Sequence, residues 1–192
     1  MRQSVLERNT KETQVKVELN LDQKDPCKLD TGIGFFDHML ELFAFRASIS
    51  LSVTCKGDLH IDGHHTVEDV GITLGQAIRA ALGDKQGINR YGQAVIPMDE
   101  SLASCVLDIS GRPFLVFDAA FPLGRIGDLD TELVEEFFRA VAQHSGMTLH
   151  IKLAYGTNTH HMIEAIFKAF GVAFAQAIAV TGTGVPSTKG VL

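Results

Sequence analysis

Apolar and polar residues alternate at Val15, Val17, Leu19 and Leu21, and again at Ile49, Leu51, Val53 and Cys55, the period of half-buried strands. Between these runs GFFDHMLELFAF spaces its apolar residues as a helix does, and His65 to Leu82 reads as a longer helix stopped by Gly83. The order is strands, helix, strand, helix. The second half repeats it, with strand patterns in SLASCVLDI and RPFLVFDAAF and a helix from about Asp130 to Gln143. Alternation at Met147, Leu149, Ile151 and Leu153 follows, then a helix from about Thr159 to Val180.

Two short stretches carry the same repeat at higher resolution. DGHHTVED, Asp62 to Asp69, returns as NTHHMIEA, Asn158 to Ala165, and the HH pairs lie 96 residues apart in a chain of 192. The pattern predicts an α+β fold built from an internally duplicated unit: two four-stranded sheets, each with helices on one face, related by a pseudo-two-fold axis. The repeats are expected over approximately 1–88 and 89–192 of one domain, joined at GDKQGINRYG. The tail TGTGVPSTKGVL is too rich in Gly and Pro for a regular element.

Composition narrows the function. With 45% apolar and 21% charged residues the chain is an ordinary globular one. Cys27, Cys55 and Cys105 are odd in number and widely spaced without a CxxC pair, as in a reduced cytoplasmic protein without disulfides. No stretch approaches the roughly 18 uninterrupted apolar residues of a membrane span, and the N-terminus is polar. A formal charge of −6 argues against a sequence-independent hold on nucleic acid. A small-molecule partner is expected.

The HH stretches supply the chemistry. Successive helical residues point about 100° apart while i and i+4 share a face, so adjacent histidines should serve two centres. Glu68 lies at i+4 from His64 and i+3 from His65, and Glu164 repeats this with His160 and His161. These six donors converge if the two-fold axis passes between the helices. Laying the halves in register sets FFDHML opposite VEEFFR, and His38 opposite Glu136, which makes eight potential ligands, four for each of two ions. Imidazole and carboxylate without thiolate suit manganese, iron or another six-coordinate divalent ion better than a closed structural zinc. His60 and His150 on strand patterns, and His144 near a helix end, are left outside the set.

GFFDHML, DGHHTVED, GINRYG, DISGRP, SGMTLHI, NTHHMIEAIFKAFG and VPSTKGVL, in this order along nearly the whole chain, together resemble imidazoleglycerol-phosphate dehydratase of histidine biosynthesis. The resemblance implies a duplicated fold and a lyase that takes water from imidazole glycerol phosphate to give imidazole acetol phosphate. It implies two manganese ions per active site, ligands at His38, His64, His65, Glu68, His160, His161 and Glu164, and a position, His in some members, filled here by Glu136. Glu12 of NTKETQV becomes the candidate acid/base and substrate contact, acting beside His64, His65 and Glu164. Lys168 is placed to reach substrate or orient Glu164, and Arg90, Arg112, Ser187 and Lys189 to hold phosphate. The family assembles into large homo-oligomers, commonly of 24 subunits, with sites at subunit contacts. A binuclear phosphohydrolase is the competing enzyme reading, and metal storage the non-enzymatic one.

Overall fold

The alternation in the sequence is an alternation of burial in the computed structural model, which describes residues 1–192. The chain runs β1 (Gln3–Asn9), β2 (Thr13–Asn20), β3 (Lys28–Asp30), α1 (Gly34–Ala47), β4 (Ser50–Gly57) and α2 (His64–Leu82). It continues β5 (Tyr91–Met98), β6 (Ser101–Asp108), β7 (Phe114–Asp118), β8 (Arg125–Ile126), β9 (Leu129–Asp130), α3 (Leu133–Ser145), β10 (Thr148–Tyr155) and α4 (Thr159–Ile178). The two main sheets have orders β1-β2-β4-β3 and β5-β6-β10-β7. In each, a hairpin is followed by an antiparallel strand and closed by a parallel edge strand, so the duplication read from the HH pairs is also a duplication of topology.

Three strands of the two main sheets escaped the pattern, as did the short β8 and β9. β1 and β5 are outer strands whose inward residues are mostly half-buried, so their alternation is weak, and β3 has three residues. The third helix begins at Leu133 rather than near Asp130, because Leu129–Asp130 pairs with Arg125–Ile126 in a small hairpin. The fourth stops at Ile178, and Val180 bridges instead to Ile88. His60 lies in a turn after β4, not on a strand.

The helices interleave across the repeat: α1 packs on α4, and α2 on α3. Phe36, Phe43, Phe137, Phe138, Phe167, Phe170 and Phe174 meet between them, fully buried, each side chain contributing roughly 1.5–3 kcal/mol by leaving water. By length and composition α4 could cross a membrane, but 72% of that apolar window is buried inside the protein, as expected of a core helix.

Equivalent glycines set both helix seams. A methyl on Gly75 would meet the Val141 carbonyl oxygen and His144 Cβ at 2.9 Å, and one on Gly171 the Phe43 carbonyl oxygen at 2.7 Å and Arg46 Cβ at 2.8 Å. Phe43 to Val141, Arg46 to His144 and His38 to Glu136 are each 98 residues apart, so the packing itself makes Glu136 the counterpart of His38. Gly171→Ala should destabilise by about 1–2 kcal/mol, overpacking against backbone outweighing the better helix propensity of Ala. A urea midpoint equal to or above that of the parent would refute this close-approach account.

Candidate metal centre

Helix α1 carries His38 and α4 carries His160 and Glu164, and the seam at Gly171 brings the three together. One donor atom from each lies within 4.8 Å of the others. Glu164 Oε2 is 3.2 Å from His160 Nε2 and 3.8 Å from His38 Nε2. Its other oxygen accepts from Lys168 Nζ at 2.5 Å, one turn along the helix. Burial pushes the Glu164 carboxyl up, but Lys168, His160 and His38 together hold it below the ordinary glutamate value. Lys168 thus neutralises and fixes one oxygen while the other faces two imidazoles. The donor set fits a divalent ion: three N and O atoms, open positions, and no thiolate nearby, with burial pushing the Cys55 thiol up to about 11.

The neighbouring histidine of each pair faces elsewhere. The rings of His160 and His161 are 6.2 Å apart at 76°, and those of His64 and His65 6.1 Å apart at 88°. His161 Nδ1 lies 2.7 Å from Glu100 Oε2, and His65 Nδ1 lies 3.0 Å from Asp58 Oδ2. A carboxylate only accepts, so Nδ1 carries the proton and donates, leaving Nε2 as the free lone pair. These hydrogen bonds raise both imidazole pKa values. On the Nε2 side stand Asp99 at 3.8 Å from His161 and Glu12 at 3.8 Å from His65, each from a hairpin tip. The β1–β2 tip is anchored because Arg8 Nε and Thr13 Oγ1 both donate to the buried Asp69 of α2.

The helix starts are built locally. The Asn158 side chain accepts from the main-chain N–H groups of His160 and His161, an N-cap that begins α4 at the HH pair. Asp62 Oδ1 accepts from His64 N at 2.8 Å. Glu100 also accepts from the N–H groups of Thr157 and Asn158, tying the β5–β6 tip to the α4 start. Asp58, Asp99 and Glu100 were not among the sequence candidates. A carboxylate seven residues before His65, and an Asp-Glu pair between two strands, were their only signals. Asp58→Asn and Glu100→Gln should each weaken divalent-ion affinity by roughly 10–100-fold, with the metal-free fold intact by circular dichroism. Unchanged affinity in calorimetric titration would exclude an orienting role.

The six helix donors do not converge in one chain, which corrects the expectation of an axis between α2 and α4. The seams join α1 to α4 and α2 to α3, and only the first gathers a group of donors, His38, His160 and Glu164. In the second, His64, Glu68 and Glu136 do not gather as a group of three, and the Glu136 carboxylate leans on Arg139 at 3.5 Å.

The expected phosphate cations collect at the other end of the fold. Arg90 donates from Nε and Nη2 to Asp108 at 2.7 and 3.0 Å and from Nη1 to the Pro186 carbonyl oxygen at 3.0 Å. Its guanidinium is therefore committed to pinning the tail against the sheet. Arg112, 3.7 Å from Asp108, is exposed, and Ser187 Oγ accepts from the main-chain N–H of Lys189 in the same tail.

The chain has relatives along its whole length. The family model for imidazoleglycerol-phosphate dehydratase matches residues 31–174. The chain is 57% identical to the imidazoleglycerol-phosphate dehydratase of Streptococcus mutans over all of both chains. It is 58% identical to that of Desulforamulus reducens, over 100% of this chain and 98% of that one. The crystal structure of the Staphylococcus aureus dehydratase superposes with a TM-score of 0.85 at 45% identity, over 93% of this chain and 99% of that one. That from Pyrococcus furiosus gives 0.83 at 37% identity, over 97% and 100%.

Proposed function

Because the chain belongs to the imidazoleglycerol-phosphate dehydratase family, a hydro-lyase of histidine biosynthesis, we propose that it converts D-erythro-imidazole glycerol phosphate to imidazole acetol phosphate at a di-manganese site. The observation that carries the metal reading is the close group of His38, His160 and Glu164, three donors from two helices of opposite repeats.

The hydrogen to be lost sits on a carbon without a neighbouring carbonyl, so a carboxylate alone would abstract it slowly. The substrate's imidazole opens another route. Loss of the ring N–H proton lets the ring's electrons expel the hydroxyl from the adjacent carbon, proton and hydroxide leaving as water. The neighbouring C–H becomes acidic, and its removal with return of a proton to the ring gives an enol that tautomerises to the ketone. Bound divalent ions would supply Lewis acidity at the ring nitrogens. The residues of the chain do the rest. Glu12, at an anchored hairpin tip with its side chain 54% exposed, is free to take the proton. Lys168 keeps the Glu164 carboxylate in place, Asp58 and Glu100 aim His65 and His161, and Arg112, Ser187 and Lys189 hold the phosphate.

One chain cannot span the substrate. Arg90 N donates to the Ala177 carbonyl oxygen, seventeen helical residues beyond His160, which is roughly 26 Å at 1.5 Å per residue. Strand β5 agrees: Tyr91 pairs with Asp108 at its cationic end and Met98 with Ser101 beside Glu100, roughly 23 Å apart at 3.3 Å per residue. That gap exceeds the reach of a glycerol phosphate bearing one imidazole ring. This distance supports sites completed by neighbouring copies, in a closed homo-oligomer of about 24 subunits by analogy with the family.

The test is product analysis with the purified, manganese-loaded protein. The ketone should appear with its phosphate ester intact, and exhaustive chelation should abolish turnover and reduce particle mass. Stoichiometric release of inorganic phosphate, or full turnover after chelation, would overturn the reading.

A further inference from the structure

Lys85 lies two residues beyond Gly83, which ends α2, and none of the chemistry above uses it. Its surface is only 9% exposed, yet no carboxylate lies within 4.0 Å of its ammonium, and it makes no side-chain hydrogen bond. Its backbone is held at φ +60°, a left-handed conformation that side-chain-bearing residues seldom adopt. The ammonium keeps some contact with solvent, but no protein anion partners it, and backbone strain of this kind concentrates at ligand sites.

The direction of the side chain identifies the ligand. A methyl built on Gly111 would lie 3.4 Å from Lys85 Nζ and 3.1 Å from the main-chain carbon of Leu192. The ammonium therefore sits against Gly111, in the Ser110–Arg112 loop. Arg90 takes both oxygens of Asp108, Arg112 stands 3.7 Å from one of them, and Lys85 reaches no carboxylate within 4.0 Å. Burial, with Arg79 and Arg90 nearby, pushes the Lys85 amine below its ordinary pKa. Lys85 is left without a protein anion, and an oxygen of a phosphate dianion would pair with it.

We propose that Lys85 is the inner cation of the phosphate subsite, donating to a phosphate monoester dianion from beside the Ser110–Arg112 loop. This rests on the reading of Arg112 and Lys189 as phosphate ligands. Loss of one charge-assisted hydrogen bond to phosphate costs on the order of tenfold in binding. Lys85→Met should therefore raise KM about tenfold with kcat within about twofold, and weaken competitive inhibition by inorganic phosphate by a similar factor. The melting temperature gives a second readout: inorganic phosphate stabilises the parent protein by mass action and should not stabilise Lys85→Met. In phosphate-free buffer the variant should melt at or above the parent temperature. Lys85→Gly, which accepts positive φ without strain, should lose the phosphate response equally and decides the matter if Lys85→Met does not fold.

Arg112→Ala separates the two ideas. If it loses the phosphate response while both Lys85 variants keep it, the subsite stands and the role of Lys85 is overturned. If none of the variants changes the response, the subsite reading fails and the proposal fails with it.

Discussion

Glu164→Gln is expected to empty the α1–α4 half-site, with divalent-ion affinity falling at least a hundredfold and turnover falling with it. The carboxylate is the one donor of the group that is buried, 7% exposed, and it touches both imidazoles. An amide keeps the shape but offers a neutral oxygen, a poor ligand for a hard ion, and it leaves Lys168 without its counter-charge. Breaking such a pair should also cost the metal-free protein roughly 2 kcal/mol, because an uncompensated buried ammonium remains. Calorimetric titration with manganese and urea denaturation without metal read the two effects separately. Retained tight binding would remove Glu164 from the ligand set.

The same pair contributes to the pH response of the metal-free protein, alongside Glu100, which the His161 hydrogen bond holds well below the ordinary glutamate range. The folded Glu164 pKa is lowered from 4.5, so its stabilisation is complete above that value and is lost as pH falls through the lower folded one. Lys168→Met removes the main offset to burial. The folded pKa should then rise, and the acid limb of the stability curve should move to higher pH. An acid limb at the parent position would mean that Lys168 does not hold the carboxylate.

How much of this was legible in the sequence follows from what kind of contact each residue makes. His160 and Glu164 sit at i and i+4 of one helix, and the repeat set His38 opposite Glu136, so pairs within an element and pairs related by duplication could be read. Which helix meets which could not. The seams depend on the carbonyl of Phe43 fitting against Gly171 and that of Val141 against Gly75, contacts between residues 128 and 66 positions apart. Periodicity reports the buried face of a helix, not the partner that buries it. That is why six donors were expected to converge and a single group, His38, His160 and Glu164, was found. Asp58 and Glu100 were invisible for a related reason: each reaches its histidine across a turn or hairpin, and an acidic residue in a turn is ordinarily a solvated one. Arg90 was readable as a cation, but its bidentate hold on Asp108 joins residues brought together only by the pairing of β5 with β6.

Glu136 gives the second large effect. Two facts place it: its 98-residue offset from His38, shared by the residues that pack on Gly75 and Gly171, and its position on α3, which packs on the His64 helix. Its carboxylate now leans on Arg139, so taking up an ion requires only that a surface ion pair be exchanged, and such pairs are worth about 0–1 kcal/mol. Carboxylate favours hard ions, whereas imidazole moves preference toward zinc, copper and nickel. Glu136→Gln should therefore lose one ion per subunit and nearly all turnover. Glu136→His should keep two ions and activity while its manganese-to-zinc preference shifts toward zinc. His144→Ala is the discriminating control, since His144 Cβ faces Gly75 at the same seam, a full two turns further along α3. It should retain both ions. Two ions in Glu136→Gln together with one in His144→Ala would show that the repeat register misassigns the ligand and that the α2–α3 half-site is completed by His144.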